Sequence, residues 1–202
     1  MVLDLFDNFS QYKERILNIN DNNRDIFFSE MLSESHAATC KDACYKCLKI
    51  YRNMPYHGLL DWRLGIALLR VMFNEDYKVG IDGNFEYPEL RDWKEHAEHL
   101  RDEFVEHFFA NNVENINGTL CGFKHNDQSY LITHPLWSHN KSEWISGDGN
   151  TAFRNMNNAS SNHIISRVIT EEGLDSAFVK TIDTFNLYRR MGTCYERVMR
   201  NE

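Results

Sequence analysis

The sequence has no apolar run approaching the ~18 residues that a membrane-spanning helix requires, and it has neither a GxxxxGK[ST] phosphate loop nor an Asp-Glu-x-His box. The first absence points away from a membrane. The second excludes ATP hydrolysis by the P-loop route. There is no Ser-His-Asp motif either, and Gly147-Asp148-Gly149 reads as a loop rather than a phosphate cradle. Cysteines are few and odd in number, five in all: Cys40, Cys44, Cys47, Cys121 and Cys194. The N-terminal stretch MVLDLFDNFSQYKER carries acids early and lacks the basic n-region of a secretory signal. Together these features argue against a disulfide scaffold and place the chain in a reducing cytoplasm, with thiols available for metal.

The 202 residues, 42% hydrophobic and 26% charged, have the composition of a globular protein. A chain this long buries a core without staples. The net charge of −8 counts against autonomous DNA binding, because free-standing DNA-binding modules carry a basic face. The charge is uneven. Residues 41–70 hold Lys41, Lys46, Lys49, Arg52, Arg63 and Arg70 against Asp42 and Asp61, whereas acids outnumber bases over residues 86–106. Both stretches can be read as solvated helix faces, or as a polarised protein that docks one face on a partner or a nucleic-acid strand.

Periodicity divides the chain into a helical first half and a mixed second half. Leu5, Phe9, Tyr12 and Ile16 predict a helix over 2–17, and another is expected over 25–38. Residues 58–73 are apolar on nearly every side, the mark of a helix buried on most faces. YKVGI reads as a short extended stretch ending in the Asp82-Gly83 turn. Residues 89–110 form an acidic surface helix with Trp93, Ala97, Leu100, Phe104 and Phe108 on one stripe. GTLCGFK and SYLITH predict a hairpin around HNDQ, 138–162 a long loop, AFVKTID a strand, and FNLYRRMGTCYERVM a closing helix. The expected fold is α+β: a helical zinc-binding region over 1–80 packed on a small mixed sheet with a closing helix over 81–202, in one compact domain.

Cys40, Cys44 and Cys47 admit three readings. Steps of four and three would put the thiols on one helix face, as buried core. Cys44-Tyr45-Lys46-Cys47 is a CxxC, but a redox site of that kind follows a strand, and none is evident upstream. The third reading is zinc, with the CxxC knuckle supplying two sulfurs and Cys40 a third. For the fourth ligand the sequence offers His57, just past Pro55, then Cys121, then Asp61.

The stretch CKDACYKCLKIYRNMPYHGLLDWRLGIALLRVM resembles the cysteine motif of the helicase-associated zinc-binding (MrfA-type, MZB) domain. Ala43-Cys44-Tyr45-Lys46-Cys47-Leu48 matches its core, and Tyr51, Asn53, His57, Leu60 and Asp61 match its tail. Trp62 stands where a basic residue is common, with Arg63 following. The resemblance covers about residues 25–75. LITHPLW and IDTFNLYRR look, more weakly, like segments that follow the motif in long members. It implies a structural zinc held by Cys40, Cys44, Cys47 and His57. It also implies a partner, a DEAD/DEAH-box superfamily 2 helicase or another subunit of a bacterial DNA-repair or anti-phage defence complex, through which DNA is reached.

Other patterns are weaker. His99, Glu103 and His107 share a helical stripe without forming HExxH. A metal-dependent nuclease with a restriction-like or phospholipase-D-like core would use His134 and Asp183, but the Glu-x-Lys pair of the first is missing. The spacing after His139-Asn140-Lys141 is wrong for the second. Lys46, Lys49, Arg52, Arg189 and Arg190 are the candidate contacts for nucleic acid or partner.

Overall fold

The structure is a computed structural model and describes residues 30–110, 112–139 and 163–201. The helix expected over 2–17 and nearly all of the loop expected over 138–162 lie outside them. The chain divides into two compact units, Met1–Tyr77 and Lys78–Glu202.

In the first unit the helix expected over 25–38 is interrupted at Ser33. Its hydroxyl accepts a hydrogen bond from His36 N at 3.2 Å and so starts a new helix, α1 (Glu34–Thr39). The three cysteines do not share a helix face. Cys40 ends α1 in an extended conformation, and the segment from there to Ile50 is a run of turns. A 3₁₀ stretch, Tyr51–Leu59, leads to α2 (Trp62–Phe73), whose N-cap is Asp61, with Oδ1 accepting from Leu64 N at 3.0 Å. The near-total burial expected over 58–73 is corrected. Trp62, Ile66, Ala67 and Val71 are buried, but Leu68 and Met72 face solvent. Met31, Cys40, Trp62 and Ile66 form the core, with Leu32, Ala37, Cys44, Cys47 and Leu48 packed against it.

The second unit is built on a four-stranded mixed sheet in the order β1 (Glu114–Asn117), β2 (Cys121–His125), β3 (Gln128–Thr133) and β4 (Val179–Asp183). The predicted hairpin is β2–β3, registered His125↔Gln128, with the left-handed Asn126 (φ 53°) in the turn. β4 runs parallel to β3, so a crossover must join them. The acidic helix is α3 (Trp93–Phe109); of its expected stripe Trp93, Ala97, Leu100 and Phe104 are buried and Phe108 is half-buried, with Val105 and Phe109 buried beside them. Arg101 is also buried: its guanidinium donates to Ile116 O (2.8 Å), Asn117 Oδ1 (2.8 Å) and Gly122 O (3.3 Å), tying α3 to the first two strands. A Cβ on Gly122 would collide with the Tyr130 carbonyl, so only glycine fits there.

Three differences from the sequence expectation have local causes. YKVGI is not extended. Val79 (φ 55°) and Gly80 (φ 77°) turn the chain, and the freed groups are taken by Trp137 Nε1–H to Val79 O (2.8 Å) and Ile164 N–H to Ile81 O (2.8 Å). A helix not foreseen, α4 (Ile164–Glu171), starts at His163, whose ring accepts from Ile165 N. The closing helix is two, α5 (Thr184–Arg189) and α6 (Met191–Met199), broken at Arg190, whose φ −139°, ψ 42° is not helical.

His134 follows β3 and packs its ring against Trp93 and Trp137, with Nδ1 accepting from Leu136 N at 3.2 Å. Burial disfavours its charged form and pushes its pKa from 6.5 down to about 3. The unfolded chain therefore binds a proton that the fold refuses, and stability falls as pH drops from 6.5 toward 3. This one group should cost about 1.4 kcal/mol per pH unit over that range. Urea denaturation of the wild type and of His134→Gln at about pH 6.5 and pH 4.5 checks this: the variant should lose less stability on acidification, and equal losses would place the acid sensitivity elsewhere.

Candidate metal centre

Four donor atoms converge in the first unit. His36, Cys40, Cys44 and Cys47 place their ligand atoms within 4.8 Å of one another. Cys40 Sγ is 3.9 Å from Cys47 Sγ, and Cys44 Sγ is 3.5 Å from His36 Nε2.

The local chain explains the convergence. α1 carries His36 and, one turn later at its end, Cys40, on the same side. The tight turn after Cys44 folds Cys47 back, so that Cys44 N donates to Cys47 Sγ at 3.1 Å. The entry to α2 clamps the ends: Trp62 Nε1 donates to Cys40 O (3.0 Å), Trp62 N to Asp42 O (2.8 Å), and Arg63 to Cys40 O, Lys41 O and Ala37 O. The Trp62 ring meets the His36 ring edge-on at 5.2 Å.

His36 Nδ1 lies 2.8 Å from Met31 O. A carbonyl only accepts, so Nδ1 carries the hydrogen and Nε2 presents its lone pair to the sulfurs. That is the tautomer and second-shell bond typical of a metal-ligating histidine. The thiols are graded. Burial, with the Cys44 and Cys47 sulfurs alongside, pushes Cys40 up to about 12. Burial also opposes ionisation of Cys44, but bonds from the Lys46 backbone N–H and from the other two sulfurs help to outweigh it and bring Cys44 down to about 7. Such a set can hold a thiophilic divalent cation, and binding one would release protons.

The structure brings together the three cysteines named from the sequence and takes the nitrogen from His36 where the sequence reading had His57. His57 Nε2 faces Ile50 O at 3.0 Å and Asn53 Oδ1 at 2.9 Å, so it is a committed donor that holds the 3₁₀ stretch, and it is not in the group. Cys121 is buried on β2 of the second unit, where burial pushes it up to about 12, and Asp61 caps α2. A signal for His36 was present in the sequence as His-x₃-Cys-x₃-Cys-x₂-Cys.

The remaining candidates fall elsewhere. Lys46 and Arg52 are exposed and Lys49 is half-buried. Arg189 stacks over Phe185 and Tyr188, and Arg190 forms the exposed joint between α5 and α6. Asp183 caps α5, accepting from Asn186 N (2.8 Å) and Asn186 Nδ2 (2.7 Å), and Lys124 pairs with Glu114 at 2.7 Å. His99 and Glu103 form an exposed pair. Among the described residues no helix is long and apolar enough to cross a membrane. Comparison with protein-family models, with curated proteins and with solved structures gave no match.

The assignment of the nitrogen donor is directly testable. His57→Ala should keep full metal affinity, whereas His36→Ala should lose more than the roughly 10–100-fold that removing an outer-shell partner costs. Competition with a chromophoric chelator measures both, and the reverse pattern would return the site to His57.

Proposed function

We propose that the chain is a zinc-stabilised, non-catalytic component of a superfamily 2 helicase complex that processes DNA, in bacterial repair or anti-phage defence, and that it works in the cytoplasm. The observation that carries the zinc reading is the convergence of one imidazole and three sulfurs on a single point. Three sulfurs and a nitrogen are a common structural zinc set, and four protein donors fill a tetrahedral ion and leave no position for water. The helicase assignment draws on the resemblance of Ala43–Leu48 and its Tyr51-x-Asn53 tail to the helicase-associated motif. With no phosphate loop in these 202 residues, the motor lies outside them.

In this reading the ion fixes the turns between α1 and α2. The described core beneath them is small, with Met31, Cys40, Trp62 and Ile66 as its buried members, and one of the four is itself a ligand. Metal binding is then folding free energy, on the order of 10 kcal/mol for structural zinc.

The purified chain should contain one equivalent of zinc by elemental analysis. Chelation, or Cys44→Ser, should lower the melting temperature and abolish association with a co-expressed superfamily 2 helicase partner. A variant that sheds its metal and keeps both its melting point and its partner would refute the proposal.

A further inference from the structure

The metal-ordered segment carries an unusual surface. Of the eleven large hydrophobic side chains exposed among the described residues, six fall between residues 45 and 59: Tyr45, Ile50, Tyr51, Met54, Tyr56 and Leu59. The three tyrosines are the most exposed, at 74% for Tyr45, 82% for Tyr51 and 61% for Tyr56. Isolated exposed aromatics need no explanation, but three on one short segment do.

The charges beside them have one sign. No acid occurs between Asp42 and Asp61, while Lys46, Lys49 and Arg52 interleave with the tyrosines, in a chain whose net charge is −8. None of these three cations has an acidic partner among the described residues. Tyr45 and Lys46 sit inside the Cys44–Cys47 turn, and the Tyr45 ring is braced edge-on by His57 at 5.7 Å. His57 is in turn locked to Ile50 O and Asn53 Oδ1, and Asn53 Nδ2 donates to Leu48 O at 2.9 Å. The polar bonds thus go to the segment's own backbone and to Asn53, and leave Tyr45, Tyr51, Tyr56, Lys46 and Arg52 exposed, with Lys49 half-buried.

We propose that this segment binds single-stranded DNA directly, with bases stacking on Tyr45, Tyr51 and Tyr56 and phosphates meeting Lys46, Lys49 and Arg52. Aromatic faces interleaved with cations are the chemistry of sequence-tolerant single-strand binding. An acidic protein surface would satisfy the cations but give the tyrosines no bases to stack on, and a duplex hides its base faces. The proposal deepens the zinc reading and rests on it only in that the ion fixes Tyr45 and Lys46.

The test is fluorescence anisotropy of labelled oligo(dT) of about 12 nucleotides, a length within the usual site sizes, against the metal-loaded full chain. The single strand should bind at least tenfold tighter than a duplex of equal length, and no weaker than oligo(rU). Three phosphate contacts predict a salt slope of about −2. Tyr51→Ala and Tyr56→Ala should each weaken binding about tenfold with the slope unchanged. The double variant Lys46→Gln/Arg52→Gln should reduce the slope by about 1.4. All these positions are exposed, so zinc content and melting temperature should stay at wild-type values. Equal binding of duplex, tighter binding of the RNA, wild-type affinity in both tyrosine variants, or displacement by polyglutamate as effective as by unlabelled oligo(dT) would each overturn the proposal and leave the zinc reading intact. Unchanged DNA binding after chelation would sink the zinc-ordering reading and leave the surface standing.

Discussion

The His36 ring is held from both sides, by the Met31 carbonyl at Nδ1 and by the Cys44 sulfur at Nε2. The first bond selects the tautomer, and the second is available only because of that choice. Several described features of the first unit converge on this ring. Ser33 must start α1 where it does for His36 to reach the sulfurs, and Cys40 must end that helix one turn later. Trp62 then packs on the same ring and donates to the Cys40 carbonyl, so the direction in which α2 leaves is set by the donor group itself. The site and the fold of this unit are one arrangement.

The second unit is organised differently. Its core is aromatic, with Phe104 against Phe123 and Phe123 stacked on Tyr130. The buried Arg101 makes the sheet-to-helix join specific by satisfying two strand carbonyls and an Asn side chain. A buried guanidinium is costly unless its donors are used, and here the surrounding carbonyls and Asp102 use them. One unit therefore closes by hydrophobic packing with a charged pin, while the other has a small described core and a cluster of sulfurs.

Legibility in the sequence followed the reach of the interactions. The stripe of α3 and the β2–β3 hairpin were readable because each depends on neighbours a few residues away. The α+β class was readable for the same reason. The turn at Val79–Gly80 was not, because it answers to distant partners, Trp137 and Ile164; the break at Arg190 has no signal in the periodicity of FNLYRRMGTCYERVM. At the site the cysteine spacing was explicit. His36 was hidden inside an apparent helix, and its role depends on the Ser33 break and on a carbonyl five residues upstream. His57 drew attention by position alone, and Asn53 and Ile50 claim the nitrogen that would have mattered.

The two histidines divide the labour of the segment between them. His36 offers a lone pair because its hydrogen is spent on backbone, and it faces inward to the thiols. His57 spends its hydrogen on Ile50 and Asn53 and props Tyr45 from the other side. Four inward donors saturate an ion and give it no reactive position. In the proposed reading, recognition then falls to what a bound ion would hold in place, the acid-free stretch of tyrosines, lysines and Arg52 between Asp42 and Asp61. A platform ordered in that way would recognise through preorganised contact, because the ordering entropy of the loop would be met by metal binding rather than by the partner's arrival.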